Sequence, residues 1–558
     1  MTRSTVLRLS PFALALLATP VFAQQVPPTS GQLLQQAQPP QRELPNREPG
    51  IQIQSPETAH ATDNTPFEVK QIVVRGNTTF DTETLYALVA DGEGHTQTLT
   101  SLTHLAQRIT DYYRAHGYPL SRAVVPAQTL SDGVVQFNVI EARYDQVQVT
   151  NQSRVRTSLL DATLSPLQSG QLVTQQTLDR QLLLLNDLPG VQAHAVLGPG
   201  SQPGTSNLNV DAQALPPVTG NLTLDNAGDR FTGRTRLGGN VAVNNLAGLG
   251  DQLTAGLLTS DEHMHYGHLA YDLALNGAGT RFGLAYSTLA YRLGDSLSDL
   301  DARGHANETS AWITQAIVRS PTTNVSARLE LDHRGLADDT GLTGVYDERH
   351  TWNWSASGTF DHLDSWGGGG VTQAQLSVTR GQLSFDNPVA QASDAATANT
   401  QGHELHWDGG VNRLQSITAT TRLYVAISGQ YSNRNLDSSE QFLLGGMQSV
   451  RGYEVSTLAG ASGYLATVEL RHDLSLPGGA WQGSVFADQG AVWINPQSWP
   501  GNTGSNHAAL SSLGAGLSWV GHDQWIAQVQ VGQPVGSTPA LAGKRPSTRA
   551  WVQISKGF

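Results

Sequence analysis

The sequence predicts a mainly β fold, in which a 16-stranded transmembrane antiparallel β-barrel follows two small α/β units of order β-α-α-β-β. Apolar and polar residues alternate from residue 218 to the end of the chain, as in strands that present one face to an apolar phase and the other to water. The alternating segments are 9–16 residues long, whereas a tilted transmembrane strand needs ~9–11 residues and globular strands average ~5–6. Short and long connections follow one another, which is typical of transmembrane barrels.

The composition is compatible with such a barrel. Of 558 residues, 39% are apolar and 14% are charged, and no apolar run after residue 23 approaches the ~20 residues of a membrane-spanning helix. Because half of each barrel strand faces lipid and half faces the lumen, the average hydropathy resembles that of a soluble chain. The absence of Cys excludes disulfides and thiolate metal sites, and the net charge of -13 gives no basic surface for nucleic acid.

The first 23 residues have the features of a secretory signal peptide. Two arginines precede an apolar run at 11–18, and the small residue Ala23 marks the expected cleavage point. Residues 24–66 are rich in Gln, Pro and Glu, a composition that predicts a flexible linker. Within the linker, residues 31–38 are good helix formers that end at two prolines, so one short helix is expected there.

Residues 67–142 and 143–217 both have the order β-α-α-β-β, with little sequence identity between them. In the first unit, apolar residues at three- and four-residue spacing from Leu102 to Tyr113 predict a helix that ends at Gly117-Tyr-Pro119. This order and this ending resemble the POTRA domain, a periplasmic module that precedes outer-membrane barrels. Each unit has a size at which a domain is only marginally stable alone, so packing on a neighbour is expected.

The resemblance to POTRA domains also implies a docking edge for an extended client. A three-stranded sheet has unpaired edges, to which another polypeptide can add itself by backbone hydrogen bonding. Docking is expected at the second strand of each unit, which is 123–125 in the first unit and carries Val191, Ala193, Ala195 and Leu197 in the second.

Residues 218–558 are expected to form the barrel. The sixteen predicted strands are 219–227, 233–244, 250–260, 264–276, 280–291, 308–319, 322–335, 349–361, 369–383, 401–414, 417–432, 463–473, 480–490, 508–520, 523–532 and 548–558. The connections at 320–321, 415–416 and 521–522 are tight, whereas those at 292–307, 336–348, 384–400, 433–462, 491–507 and 533–547 are long and polar. An even number of strands with tight turns on one side places both barrel ends, and the two α/β units, in the periplasm.

Two motifs lie in the longest loop and on the thirteenth predicted strand. The loop contains Val450, Arg451, Gly452 and Tyr453, and the strand contains Phe486, Asp488 and Gly490 at two-residue spacing. Because strand side chains alternate, Asp488 is expected to point into the lumen. Both motifs resemble those of two-partner secretion transporters, the haemolysin and filamentous haemagglutinin secretion-activation family. The resemblance implies that the loop enters the lumen and that Arg451 and Asp488 form a conformational lock there, a role that suits the planar arginine fork.

The resemblance covers nearly the whole mature chain. It implies an outer-membrane pore that recognises an unfolded periplasmic client through its POTRA units and translocates it to the cell surface or exterior. The client would be a haemolysin, an adhesin or a contact-dependent toxin, and residues 31–38 would be the plug of the pore. The expected partners are a large secreted β-helical client, outer-membrane lipid and the barrel-assembly machinery, which reads a terminal strand such as the one ending in Phe558. Neither nucleic acid nor nucleotide is expected.

Two other functions are compatible with a barrel of this kind. One is an outer-membrane protein insertion factor of the same superfamily, although such factors usually carry more than two periplasmic repeats. The other is a passive porin, for which the periplasmic units would have no purpose.

The sequence predicts no enzyme, no cofactor and no metal site. His403-Glu-Leu-His406 is one residue short of the H-E-x-x-H zinc motif, and on a strand its two histidines face opposite sides. The histidines His263, His265 and His268 do not share one strand face either, so a solvated rim is expected. Neither a nucleophile elbow nor a phosphate-binding loop occurs.

Overall fold

A computed structural model describes residues 27–38, 46–53, 65–129, 132–261, 263–502, 504–543 and 547–558. The predicted signal peptide at 1–23 lies outside these residues. No helix in the described ranges has the length and apolar character needed to cross a membrane. The predicted fold class is confirmed, because sixteen antiparallel strands close a barrel and two small α/β units precede it.

Two short elements precede the α/β units. Helix α1 (Ser30–Ala37) corresponds to the predicted helix and begins one residue earlier; strand β1 (Ile51–Ile53) was not predicted. The Thr29 hydroxyl caps α1 by accepting a hydrogen bond from the Gln32 amide, and the Gln32 side-chain oxygen accepts one from the Thr29 amide, a reciprocal capping box. An isolated helix of eight residues is marginal in water, so α1 depends on the surface to which it docks.

The first α/β unit has a mixed sheet covered by two helices. Its elements are β2 (Phe67–Val69), β3 (Gln71–Arg75), α2 (Thr82–Ala87), β4 (His95–Gln97), α3 (Leu99–Ala115), β5 (Arg122–Val124) and β6 (Val134–Ile140). Asp81 caps α2 by accepting a hydrogen bond of 2.7 Å from the Thr84 amide. The apolar face of α3, including Leu102, Ile109 and Tyr113, is buried against the sheet, whose order is β3-β6-β5.

The second unit has the same order of elements. It consists of β7 (Arg143–Asn151), α4 (Thr157–Leu164), α5 (Gln175–Asn186), β8 (Val191–Pro199) and β9 (Thr205–Ala214). Its sheet has the order β1-β8-β9-β7, so that the early strand β1 extends the sheet beyond β8.

The barrel strands follow the chain in order around the wall. They are β10 (Val218–Asp225), β11 (Arg236–Asn244), β12 (Gln252–Ser260), β13 (His265–Ala274), β14 (Thr280–Arg292), β15 (Ala302–Arg319), β16 (Thr323–Thr340), β17 (Val345–Asp364), β18 (Gly370–Phe385), β19 (Gly402–Ser416), β20 (Thr421–Ser432), β23 (Ser462–Leu474), β24 (Ala480–Trp493), β25 (His507–Val520), β26 (Trp525–Pro534) and β27 (Arg549–Gly557). The first strand pairs with the last, from Asn221 opposite Gly557 to Asp225 opposite Gln553, and this closes the barrel. Helix α6 (Pro388–Ala396) lies in the connection between β18 and β19.

Large apolar side chains cover the outside of the barrel. Leu257, Leu329 and Trp354 are 75%, 59% and 64% exposed, and they belong to a belt of exposed apolar residues that recurs along the barrel strands. Such a surface is too large for a water-exposed monomer and fits a lipid environment. The polar residues between them face the lumen, as the period-two pattern predicts.

Two of the predicted long loops are shorter than expected. Strands β15, β16 and β17 have 18, 18 and 20 residues, so most of 336–348 is strand, and 292–307 is strand at 292 and at 302–307. Only four residues, 341–344, connect β16 to β17. Because these hairpins continue beyond the apolar belt into water, their outer faces carry polar residues such as Arg303 and Glu348, and the sequence pattern alone cannot distinguish them from loops.

The second α/β unit is fixed to the turns at one mouth of the barrel. Arg319, at the end of β15 and 5% exposed, binds both carboxylate oxygens of Asp187 at 2.7 Å. Arg180 donates hydrogen bonds to the carbonyl groups of Ala316 and Ile317 in the same region. A bidentate pair of this type sets orientation as well as distance, so the sheet of the second unit is held at the mouth of the lumen.

Candidate functional site: the closed lumen

The connection between β20 and β23, residues 433–461, enters the lumen and is called loop 6 here. Its base is a short hairpin of β21 (Phe442–Leu444) and β22 (Leu458–Gly460). The motif Val450–Tyr453 lies at the tip between these two strands. Val450 and Tyr453 are fully buried in an apolar cluster with Val492 and Leu510 of the barrel wall, which anchors the tip.

The structure brings Arg451 and Asp488 into direct contact on the lumen wall. Arg451 donates from Nε and Nη2 to the two Asp488 oxygens at 3.0 and 2.7 Å, and its backbone amide donates to the same carboxylate at 3.2 Å. Both side chains are buried, with residue exposures of 5% and 2%. The Arg451 guanidinium also lies 3.3 Å from the centre of the Phe486 ring, in a cation–π arrangement.

The two glycines of the motifs are required by close approach. A Cβ at Gly452 would lie 2.8 Å from Ser512 Cβ and 2.9 Å from the Pro534 nitrogen. A Cβ at Gly490 would lie 2.8 Å from a methyl carbon of Leu444, at the base of loop 6. Any larger residue at either position would therefore push loop 6 away from the wall.

Four residues outside the predicted motifs complete the site. Arg451 Nη1 donates to Glu469 at 2.8 Å, and Asp488 accepts hydrogen bonds from Thr467 and Ser512 at 3.2 and 3.0 Å. Trp551 on the last strand donates from its indole nitrogen to the Arg451 carbonyl at 2.8 Å. Strand alternation was a usable signal for Glu469, which lies opposite Phe486 in the ladder and shares its lumen face. No local sequence pattern connects any of these four residues to loop 6.

Helix α1 fills the lumen beside loop 6. Leu33, Leu34 and Ala37 are buried against apolar residues near the loop-side ends of the wall strands, among them Leu289 and Leu336. Burial of two leucines contributes about 3–6 kcal/mol before the entropy of ordering the helix is subtracted. The helix is thus docked on the lumen wall by a small apolar cluster.

Polar contacts join α1 to loop 6 and to the wall. At its N-terminus, the Thr29 hydroxyl lies 2.8 Å from the Ser438 hydroxyl, and the Ser30 amide donates to Asp338 at 2.8 Å. Arg349 connects the same groups, because it donates to Asp338 at 3.0 Å, to Asp437 at 2.7 Å and to Ser438 at 3.2 Å. Loop 6 and α1 therefore share one network and form one obstruction.

Residues 46 and 47 lie at the periplasmic mouth of the barrel. Arg47 pairs with Asp361 at 3.2 Å, and the Asn46 carbonyl accepts a hydrogen bond from Arg319. Both contacts lie at the mouth where the second α/β unit is attached, so the segment that carries β1 is fixed to the same end of the barrel as that unit.

The predicted docking edge of the second unit is already occupied. Strand β1 pairs in parallel with β8, with Ile51 opposite Ala195 and Ile53 opposite Leu197. The side chains of Val191, Ala193, Ala195 and Leu197 are buried in the core of the unit, so they are not a free surface for a client. The prediction of an open edge at β8 is therefore wrong, because β1 covers that edge. An unpaired edge attracts any extended segment, and a segment tethered to the same chain has a high effective concentration.

Comparison with known proteins places the chain in a family. Residues 204–519, more than half of the chain, match the family described as haemolysin secretion/activation protein ShlB/FhaC/HecB. The chain belongs to this family. Residues 67–142 match the POTRA domain of ShlB type, which is the first α/β unit. As a haemolysin secretion/activation protein, the chain is an outer-membrane protein with its POTRA region in the periplasm.

Relatives and solved structures agree with this placement. The heme/hemopexin transporter protein HuxB of Haemophilus influenzae (strain 86-028NP) is 26% identical over 513 residues, which is 90% of this chain and 89% of that protein. The outer membrane transporter CdiB of Dickeya dadantii (strain 3937) is 26% identical over 490 residues, 85% of this chain and 84% of that protein. The structure of CdiB from Escherichia coli has the same fold, with a TM-score of 0.69 and 23% identity over 90% of this chain and 93% of that chain.

Proposed function

We propose that this protein is the outer-membrane pore of a two-partner secretion system and translocates one unfolded client protein from the periplasm to the cell surface or exterior. The observation that carries the proposal is the closure of a polar lumen by two parts of the same chain, loop 6 and α1, which are joined to the wall by polar contacts and by two small apolar clusters. A cavity of about 590 Å³ lined by Arg451, Glu469 and Gln528 remains beside the loop tip. An obstruction of this kind can move aside, whereas a packed core cannot.

The partners follow from the same architecture. The client is a large secreted β-helical protein, a haemolysin, adhesin or contact-dependent toxin, whose folding outside the cell can draw the chain through the pore. Outer-membrane lipid surrounds the apolar belt, and the barrel-assembly machinery inserts the barrel after reading its last strand. The exposed Phe558 lies at the end of that strand, where it is accessible to such a machine.

Deletion of the gene tests this function. In the source bacterium, export of a large β-helical protein encoded beside the gene should be lost, while the composition of other outer-membrane proteins should stay unchanged. A general loss of outer-membrane proteins would favour the alternative, an insertion factor. Undisturbed export together with reduced permeability to small solutes would favour a passive porin.

We further propose that β1 occupies the position into which the client strand docks. The backbone edge of β8 can pair with one strand at a time, and β1 uses it at three successive positions, from Ala195 to Leu197. A client strand that adds to β8 must displace β1, which follows α1 along the chain and is connected to it. Capture of the client in the periplasm is thereby coupled to removal of the plug.

A disulfide between β1 and β8 should block export. Gln52 and Val196 are direct neighbours across the ladder, and neighbouring strands lie ~4.8 Å apart, a distance that a disulfide can bridge. Because the chain has no other Cys, the double variant Gln52→Cys/Val196→Cys forms one defined bond in the oxidising periplasm. We expect client export to fall at least about tenfold, because a three-residue strand that cannot leave β8 excludes the client strand.

The matched control is Gln52→Cys/Gln192→Cys. Gln192 lies on the same outer face of β8 but four residues away, ~13 Å along the strand, which is too far for a disulfide. This control and the two single Cys variants should export at the wild-type level, and a reductant should restore export by the locked variant. Normal export with a complete β1–β8 disulfide would contradict the competition between β1 and the client.

A further inference from the structure

A carboxylate and imidazole cluster lies in the lumen where β19 meets loop 6. Glu404 and His406 are two residues apart on β19, so they share the lumen face, and Glu440 approaches them from loop 6. One potential ligand atom from each of these three side chains lies within 4.8 Å of the others. Glu404 and His406 are buried, with exposures of 9% and 4%, and the Glu440 side chain is 10% exposed.

Negative charge exceeds positive charge in this cluster. Arg334 is the nearby cation, and it is shared among Glu440 at 2.5 Å, Glu308 at 2.7 Å and Asp332 at 3.3 Å. Within the described ranges, Glu404 is paired with His406, whose Nδ1 lies 3.0 Å from its carboxylate, and His406 is itself shared with Asp408, 3.3 Å from its Nε2. Burying carboxylates without compensating positive charge is costly, because low polarity strengthens their repulsion and removes their hydration.

Two buried oxygen atoms near the cluster have no hydrogen-bond donor among the described residues. These are Glu404 Oε1 and Asn353 Oδ1. Both oxygens point into the space beside Gly381, where the missing side chain leaves room: a Cβ at that position would clash with each of them. Asn353 also donates to Glu440 at 2.8 Å, so it joins the orphaned oxygens to the loop-6 carboxylate. Buried acceptors without donors are rare and are satisfied by water or by cations.

We propose that Glu404, His406 and Glu440 bind a divalent transition-metal ion, such as Zn²⁺ or Mn²⁺. One imidazole with two carboxylates is a ligand set suited to such ions. The ion would neutralise the excess charge and give Glu404 a partner. Two ligand atoms that are each ~2.0–2.2 Å from the same metal ion lie roughly 3.3–4.4 Å from one another. The ligand atoms of the three side chains now lie within 4.8 Å of one another, so they need to move by only about 1 Å.

This arrangement also explains why the sequence contains no recognisable metal motif. His403 faces the outside of the barrel and is separated from His406 by the wall, as the alternation predicts. The strand spacing places Glu404 and Asp408 beside His406, at 3.0 and 3.3 Å from its two ring nitrogens. Only the folding of loop 6 brings Glu440 near. Glu440 directly follows Ser438 and Ser439, which contact α1. A bound ion would therefore hold the part of loop 6 against which the plug rests.

Metal titration of the full-length protein tests the site. The purified barrel in detergent is stripped with EDTA, dialysed, and titrated with Zn²⁺ and with Mn²⁺ in an isothermal titration calorimeter. We expect one ion per chain, and we expect His406→Gln and Glu440→Gln each to weaken binding by at least about tenfold. His403→Gln is the matched control, because His403 directly precedes Glu404 on the same strand but faces the outside of the barrel, and this variant should bind metal like the wild type.

Folding of each variant is checked by the heat-modifiable migration of the barrel in gels. The wild-type titration remains decisive even if a variant fails to fold. The proposal is overturned if the wild type binds neither ion, or if folded His406→Gln binds with wild-type affinity. The readout is binding of the metal alone. A wild-type protein that binds no metal would therefore leave the proposed secretion function standing, and evidence against secretion would leave the metal titration unaffected.

Discussion

Replacement of Arg451 or Asp488 by alanine is expected to abolish most client export while the barrel still assembles. Each substitution removes one partner of a buried, bidentate ion pair. Arg451→Ala leaves the Asp488 carboxylate without its cation, and Asp488→Ala leaves Arg451 held by Glu469 alone. Breaking a buried pair in this way costs about 3–5 kcal/mol, equivalent to a few hundred- to a few thousand-fold shift toward the undocked loop. An undocked loop 6 would occupy the conduit and could no longer present Ser438 and Ser439 to α1.

Arg422→Ala is the matched control for this experiment. Arg422 is also a lumen arginine paired with an aspartate, Asp473 at 3.0 Å, but both side chains are about one-third exposed and loop 6 is not involved. Surface-like pairs contribute little, so this variant should export normally. Arg451→Lys should fall between wild type and alanine, because lysine keeps the charge but cannot bind both oxygens in one plane.

Export is measured as the client recovered outside the cell, normalised to the amount of folded barrel in the outer membrane. The hydrogen-bonded ladders of the wall do not depend on loop 6, so barrel assembly should be unchanged. Wild-type export by both alanine variants would show that the contact between Arg451 and Asp488 has no role in transport.

A disulfide between α1 and loop 6 is expected to stop export completely. The hydroxyl oxygens of Thr29 and Ser438 are 2.8 Å apart, so Thr29→Cys/Ser438→Cys can form a bond without moving either backbone far. If the plug must leave the lumen, a covalent link to loop 6 holds it there against any force that the client exerts. The locked protein should also be the least permeable form in planar lipid bilayers.

The two single substitutions control for the loss of the helix cap. Thr29→Cys removes an N-cap and should cost about 1 kcal/mol of helix stability, which by itself makes the plug easier to release and favours export. Ser438→Cys alone should be close to wild type. Addition of a reductant should restore export by the double variant to the level of Thr29→Cys, and continued export by the oxidised form would mean that α1 stays in place during transport.

The barrel was predictable because its information is local. A period of two along a strand is set by backbone geometry, so the lumen position of Asp488 and the outward position of Val485 follow from sequence spacing and agree with the structure. The turn between β15 and β16 at 320–322 was placed for the same reason, from a Pro between two alternating runs. The sequence predicts the wrong ends for β16 and β17. Beyond the membrane, no apolar face distinguishes residues that are still hydrogen-bonded in a strand from residues of a loop.

The sequence by itself determined the sixteen strands, the two α/β units, the short helix and the two motifs whose residues meet in the lumen. Only the tertiary structure decided that β1 covers the edge of β8, that Arg349 joins α1 to loop 6, and that Glu440 approaches Glu404 and His406. The first set depends on repeating patterns within a few residues of each other. The second set joins segments dozens to hundreds of residues apart that share no periodicity. The partners of α1 and loop 6 are selected by the shape and charge of a lumen that exists only after the barrel has closed. The partner of β1 is a sheet edge that exists only after the second α/β unit has folded.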